Sequence, residues 1–163
     1  MMPKRGPEAR LEQLLAGLDD LRVDRQLGLP APYQQLVLLW AIGRTRQKMP
    51  RMIAFNDAKP ELLRLLRPFA VGKSSPDPAL PWFALRNSEW WEIDFQTIDK
   101  PLGVRTRAAI RAANPHAGLS LELHHLLSDD PGFLKLAVAA LSDAASVTAP
   151  VEPLLRHLQL TAD

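Results

Sequence analysis

The sequence predicts a mainly helical fold with one small antiparallel β-hairpin or sheet, an α+β class in a single compact helical domain. Three observations lead there. Long stretches repeat apolar residues at helical spacing, one central stretch alternates as strands do, and the 163 residues hold no internal repeat or low-complexity tract. A chain of this length buries a real core as one domain, so residues 1–163 read as one unit.

The first helix runs from Pro7 to Leu21, where Leu11, Leu14, Leu15, Leu18 and Leu21 form one apolar face. Gly28 and Pro30 make residues 24–31 a loop, and Pro32 opens the second helix, because a first-turn N–H has no partner to lose. That helix reaches Gln47 and is apolar nearly all round from Leu36 to Ile42, as the central helix of a core is. A β-like run from Met52 to Phe55 then meets Asn56 as an N-cap, and the helix from Asp57 to Leu66 is closed by Pro68. Residues 72–81 read as a Gly-Ser-Pro loop, after which Trp82 to Leu85 and Glu89 to Asp94 flank Asn87-Ser88 as the strands of a hairpin. Beyond a second loop, Gln96 to Val104, come helices over Arg105 to Ala113, Leu119 to Leu127 and Pro131 to Ser146, the last capped by Asp130. Pro150 and Pro153 introduce a final short helix.

Composition excludes more than it assigns. Twenty Lys and Arg against 18 Asp and Glu leave a net charge of only +2, which by itself says little about nucleic acid. The distribution is more telling: cations crowd into Arg22 to Arg25, Arg44 to Arg51 and Lys100 to Arg111, and acids into Asp19-Asp20, Glu89 to Asp94 and Asp129-Asp130. There is no cysteine, so thiolate ligands, disulfides and a Cys nucleophile are all absent. No apolar run approaches the roughly 20 residues of a membrane span. Met1 to Arg10 has no apolar segment behind its basic residues, so a cytoplasmic location without a membrane partner is expected.

Catalysis finds no foothold. Of the four histidines, His116, His124, His125 and His157, only His124 and His125 are adjacent, and helix neighbours point about 100° apart instead of converging on a metal. Glu89 and Glu92 flank Trp90-Trp91 and fall on opposite faces of a strand, as solvated charges do. Gly72-Lys73-Ser74 lacks the upstream glycine of a Walker loop. No catalytic residue, metal ligand or cofactor is expected.

Three segments in this order carry a resemblance: LRVDRQLGLPAPYQQLVLLWAIGR (Leu21 to Arg44), GKSSPDPALPWFALRNSEWWEI (Gly72 to Ile93) and the helical tail from Leu119 to Leu160. Together they resemble the DNA sulfur-recognition domain that sits beside HNH nucleases in type IV, McrA-like restriction enzymes. The resemblance implies a partner, phosphorothioated double-stranded DNA, and a covalently linked HNH nuclease domain in the full-length protein, with the present chain as its amino-terminal recognition module. It also implies a sulfur pocket made by a residue before a proline, that proline's ring and an alanine three positions on, which here are Leu80, Pro81 and Ala84. Tyr33 and Gln34, at the start of the second helix, would complete it. The family often has an aromatic at the position of Leu80 and a basic residue at that of Leu29.

The chemistry is consistent with that implication. Sulfur in place of a non-bridging phosphate oxygen is larger, more polarisable and a poorer acceptor, so a cup of carbon atoms prefers it where a nest of N–H donors would prefer oxygen. Around the cup, Arg22, Arg25, Lys73, Ser74, Ser75, Arg105 and Arg107 are expected to hold phosphates, and Arg86, Asn87 and Gln34 to reach base edges. Two other readings compete. In one, the second helix and Arg44 to Arg51 form a helix-turn-helix-like DNA surface indifferent to sulfur. In the other, an exposed Trp82, Trp90 or Trp91 docks a protein partner.

Overall fold

The computed structural model describes residues 7–19, 33–70, 77–94, 104–146 and 150–160. The first helix, α1 (Pro7–Asp19), buries Leu11, Leu14 and Leu18 on the predicted face. The second, α2 (Tyr33–Arg46), is the core's axis: every residue from Leu36 to Gly43 is buried. It packs against α3 (Phe55–Leu66), α4 (Ala79–Ala84), α6 (Leu121–Asp129) and α7 (Pro131–Ala145). Burying six large apolar side chains on one helix contributes on the order of 1.5–3 kcal/mol each, and this is why α2 has no polar face.

Three strands, β1 (Ile53–Ala54), β2 (Trp91–Asp94) and β3 (His116–Leu119), form an antiparallel sheet in the order β1-β3-β2. Ile53 lies opposite Ala117, and Trp91 opposite Leu119. The remaining helices are α5 (Val104–Ala113) and α8 (Glu152–His157), and a 3-10 turn, Arg67–Phe69, follows α3 around Pro68. The mainly helical architecture with a small antiparallel sheet is the class expected. Asp130 caps α7 as predicted, its Oδ1 accepting from the Phe133 N–H at 3.1 Å with Pro131 behind it.

Four local expectations need correction. Trp82 to Leu85 is not a strand: it lies in α4 and in a second 3-10 turn, Leu85–Asn87. Packing overrides the strand-like pattern, because Trp82 inserts between Trp40, Phe55 and Trp91 with ring centroids 6.2, 5.4 and 5.4 Å away. Pro81 is tolerated because it is the third residue of its helix, where an N–H needs no intrahelical partner. Strand β2 therefore has no hairpin mate and pairs with β3, and Leu119, expected to open a helix, is the last residue of that strand. Finally, α3 starts at Phe55 with Ala54 as its cap residue, and the Asn56 N–H is satisfied from a distance by Asn114 Oδ1 at 2.7 Å.

Gly118 in the central strand has a stated reason to be glycine. A Cβ there would lie 1.9 Å from the Arg51 carbonyl oxygen, so the chain before β1 rests directly on the β3 backbone. Among the described residues no helix is long and apolar enough to cross a membrane.

Candidate nucleic-acid interface

The short helix α4 packs against both α2 and α5, so the elements bearing the candidate residues Pro81, Ala84, Tyr33, Gln34, Arg105 and Arg107 meet around it. Helical geometry matters here. In a strand, Pro81 and Ala84 would point to opposite faces; three apart in a helix, they share one. Pro81 is buried and Ala84 half-buried, while Trp82 and Phe83 anchor the helix at 0% and 5% exposure. The Asp77 carboxylate accepts from the Ala79 N–H at 3.0 Å, and its other oxygen lies 3.5 Å from Arg111, joining the start of α4 to α5. Asp followed by Pro-Ala is a helix-start signal, and reading it so would have revealed α4.

On α2, Gln34 is 3% exposed and Tyr33 half-buried against the core. Arg86, just past α4, lies with its guanidinium carbon 3.7 Å from the centre of the Phe83 ring and donates to the Phe83 carbonyl at 3.2 Å. Burial pushes its pKa down, with no acid contributing. Phe83 as the platform for Arg86 was missed by sequence reasoning, although a spacing of three residues allows it. For Leu80, Asn87, Arg105 and Arg107 only the backbone is described, and Arg22, Arg25, Lys73, Ser74 and Ser75 lie outside the described residues.

The helix starts carry an electrostatic asymmetry. Helices α1, α3, α6 and α8 each have an acid in the first turn, Glu8, Asp57, Glu122 and Glu152, and α7 has its Asp130 cap. Helices α2 and α5 have none in theirs, and α5 puts Arg105 there, while the start of α4 is met by the Asp77 carboxylate. A cation at a helix N-terminus opposes the macrodipole by a few tenths of a kcal/mol to about 1 kcal/mol. An anion from outside would reverse that cost.

Three of the four cations from Arg44 to Arg51 and all three candidate tryptophans are engaged in the fold. Arg44 lies over the Trp40 ring at 5.4 Å and donates to the Pro50 carbonyl, Arg46 donates to the Gln159 carbonyl, and Arg51 pairs with Glu92 and donates to the Leu119 carbonyl. With α2 buried, that segment offers no recognition helix to a groove. Trp82, Trp90 and Trp91 are 0%, 0% and 4% exposed, so none is an external docking residue. His124 and His125 stack edge-to-face at 5.9 Å on α6, and no group of three or more potential metal ligands occurs among the described residues.

The fold is a small, mainly helical domain whose candidate residues gather on the elements around α4. The chain belongs to the ScoMcrA-like DNA sulfur-binding domain family, whose model matches residues 11–163. It superposes on the sulfur-binding domain of SprMcrA, solved with phosphorothioated DNA, with a TM-score of 0.81, at 25% identity over 96% of this chain and 98% of that one. The sulfur-binding domain of ScoMcrA, also with phosphorothioated DNA, gives 0.72 at 25% identity over 97% of each chain. The type IV phosphorothioation-dependent restriction endonuclease ScoMcrA gives 0.68 at 26% identity, over 80% of this chain but only 29% of that protein. No curated protein matches the sequence. The family is a DNA-binding domain and not a catalytic one.

Proposed function

We propose that this chain reads phosphorothioate in duplex DNA through an apolar cup on α4, made by Leu80, Pro81 and Ala84 and closed by Tyr33 and Gln34 from α2. The observation that carries the reading is membership of the DNA sulfur-binding family together with the match to two domains solved on phosphorothioated DNA. Support for the cup is geometric: Pro81 and Ala84 share a helical face held by the Trp82 anchor. Arg22, Arg25, Lys73, Ser74, Ser75, Arg105 and Arg107 hold the flanking phosphates, and Arg86 and Asn87 face the bases, while the buried Gln34 serves the cup instead of a base edge. Residues 1–163 act as one recognition unit, which in a longer cytoplasmic restriction enzyme delivers an HNH nuclease to modified DNA.

The test is an anisotropy titration against two duplexes identical except for one Rp phosphorothioate, at fixed moderate salt. Preferential binding of the modified duplex is expected, with Ala84→Asp reducing that affinity by about 100-fold or more, because a carboxylate would meet both the apolar sulfur and the backbone charge. Equal affinity for both duplexes would reject the sulfur cup.

A further inference from the structure

The helix that carries the candidate cup has little of its own to hold it in place. Helix α4 is six residues long, well short of the roughly 12–15 residues at which an isolated helix becomes marginally stable. Pro78 and Pro81 bring no N–H to its start. That end is held by the Trp82 N–H donating to the Pro78 carbonyl, at 3.1 Å, and by the Ala79 N–H donating to the Asp77 carboxylate, at 3.0 Å.

Two anchors reach this helix from the rest of the domain. Inside, the fully buried Trp82 meets Phe55 and Trp91 edge-on, with ring centroids 5.4 Å away in each case. Outside, the second Asp77 oxygen lies 3.5 Å from the Arg111 guanidinium on α5. That end of α5 is itself fixed to the start of α3. The Arg111 carbonyl accepts from Asn56 Nδ2 at 3.3 Å, Asn114 Oδ1 accepts from the Asn56 N–H at 2.7 Å, and the Pro115 carbonyl accepts from the Phe55 N–H at 2.9 Å. A helix about 9 Å long with Trp82 as its sole anchor can roll about that ring, carrying the shared face of Pro81 and Ala84 with it. A second anchor at its start stops the roll. Burial of an indole outweighs a cap and a partly exposed ion pair as a source of stability, so the fold tolerates loss of Asp77. By charge alone an acid beside a DNA-binding helix is unfavourable, and its removal would strengthen binding to any duplex.

We propose, on the basis of the cup assigned above to α4, that Asp77 is a positioning residue for sulfur selectivity. Its carboxylate caps the helix and ties it to Arg111, and so sets how Pro81 and Ala84 meet the modified phosphate. An apolar cup tells sulfur from oxygen by close fit, which a displacement on the order of 0.5 Å degrades. The test measures Kd by anisotropy for the plain and the Rp-phosphorothioated duplex, with urea midpoints taken in parallel. The proteins are the parent, Asp77→Ala, Arg111→Met, which keeps the stem and removes the guanidinium, and the double variant. In Asp77→Ala the ratio of the two Kd values is expected to shift about tenfold toward equality, while plain-duplex affinity stays unchanged or rises. Arg111→Met should shift the ratio in the same direction by less, because the cap on Ala79 remains. The double variant should be no worse than Asp77→Ala, since both changes break one link. An unfolded fraction lowers both affinities together and leaves the ratio alone, so a merely structural role does not imitate this result. A preserved ratio in Asp77→Ala overturns the proposal and leaves the cup standing, and so do additive losses in the double variant. A parent that binds both duplexes equally overturns the cup and the role of Asp77 with it.

Discussion

Arg10 near the sheet and Arg86 beside α4 are held in opposite ways. Arg10 gives a forked pair of bonds to Glu122, at 3.0 and 2.7 Å, and a third to Glu89 at 2.8 Å, which ties α1 to α6 and to the turn before β2. Those carboxylates push its pKa up, Glu122 foremost. Arg86 beside α4 has an aromatic ring and a carbonyl for company, and burial alone moves its pKa, downward. The first arrangement spends the cation on the fold. The second keeps a positive charge partly desolvated and without an acid among the described residues, the state in which an external anion gains most.

The strongest way to break the comparison is to remove the sheet. Gly118→Ala would push a methyl into the Arg51 carbonyl, and a loss of about 3–5 kcal/mol in urea denaturation is expected. DNA binding should fall only in step with the unfolded fraction. A variant as stable as the parent would show that the contact between β3 and the chain at Arg51 gives way.

Replacing Arg86 tests the other side. Arg86→Ala is expected to weaken duplex binding by about 1–2 kcal/mol and to relax the base preference at the site, with little change in the salt slope or in stability. An unchanged affinity together with a lower melting temperature would move Arg86 to the structural class of Arg10.

The converse variant, Arg10→Ala, should cost about 1 kcal/mol of stability, since its glutamate partners are more than half exposed. Duplex affinity should stay within about twofold at moderate salt. A large loss of affinity would mean that α1 positions the cations that follow it in sequence.

The smallest effect is a pH dependence on the sheet side. Desolvation foremost, then the neighbouring charges of His125 and Arg51, lower the His124 pKa from its ordinary value of 6.5, against a smaller opposing pull from Asp129. The unfolded chain therefore binds this proton more readily than the folded one. His124 costs no stability above about 6.5, and stability declines as pH falls below that value. Urea midpoints measured across that range should fall less steeply for His124→Gln than for the parent; equal slopes would place the proton uptake elsewhere.

Legibility from sequence followed the range of the interactions. Helices α1, α2 and α7 were readable because a continuous apolar face or a cap such as Asp130 lies within one segment. Strand β3 was not, since His-Ala-Gly-Leu has no alternation to announce it and is a strand only through partners 53–54 and 91–94 on either side. The Asn56 cap failed for the same reason: the helix already begins at Phe55, and the Asn56 N–H donates to a side-chain oxygen 58 residues away. At the candidate site, Leu80, Pro81, Ala84, Tyr33 and Gln34 were selected by resemblance, and their chemistry alone would have passed as core packing.

By itself the sequence determined the fold class, the buried central helix, the absence of cysteine chemistry and the family to which the chain belongs, because composition, local periodicity and a few linked motifs carry that information along the chain. Tertiary structure decided that Trp82 to Ala84 is helical, that β2 pairs with β3, and which arginines are tied to acids. A six-residue helix and a two-residue strand are too short to be stable alone. They exist only where distant side chains, Trp40 and Phe55 against Trp82 above all, provide the burial that local propensity lacks.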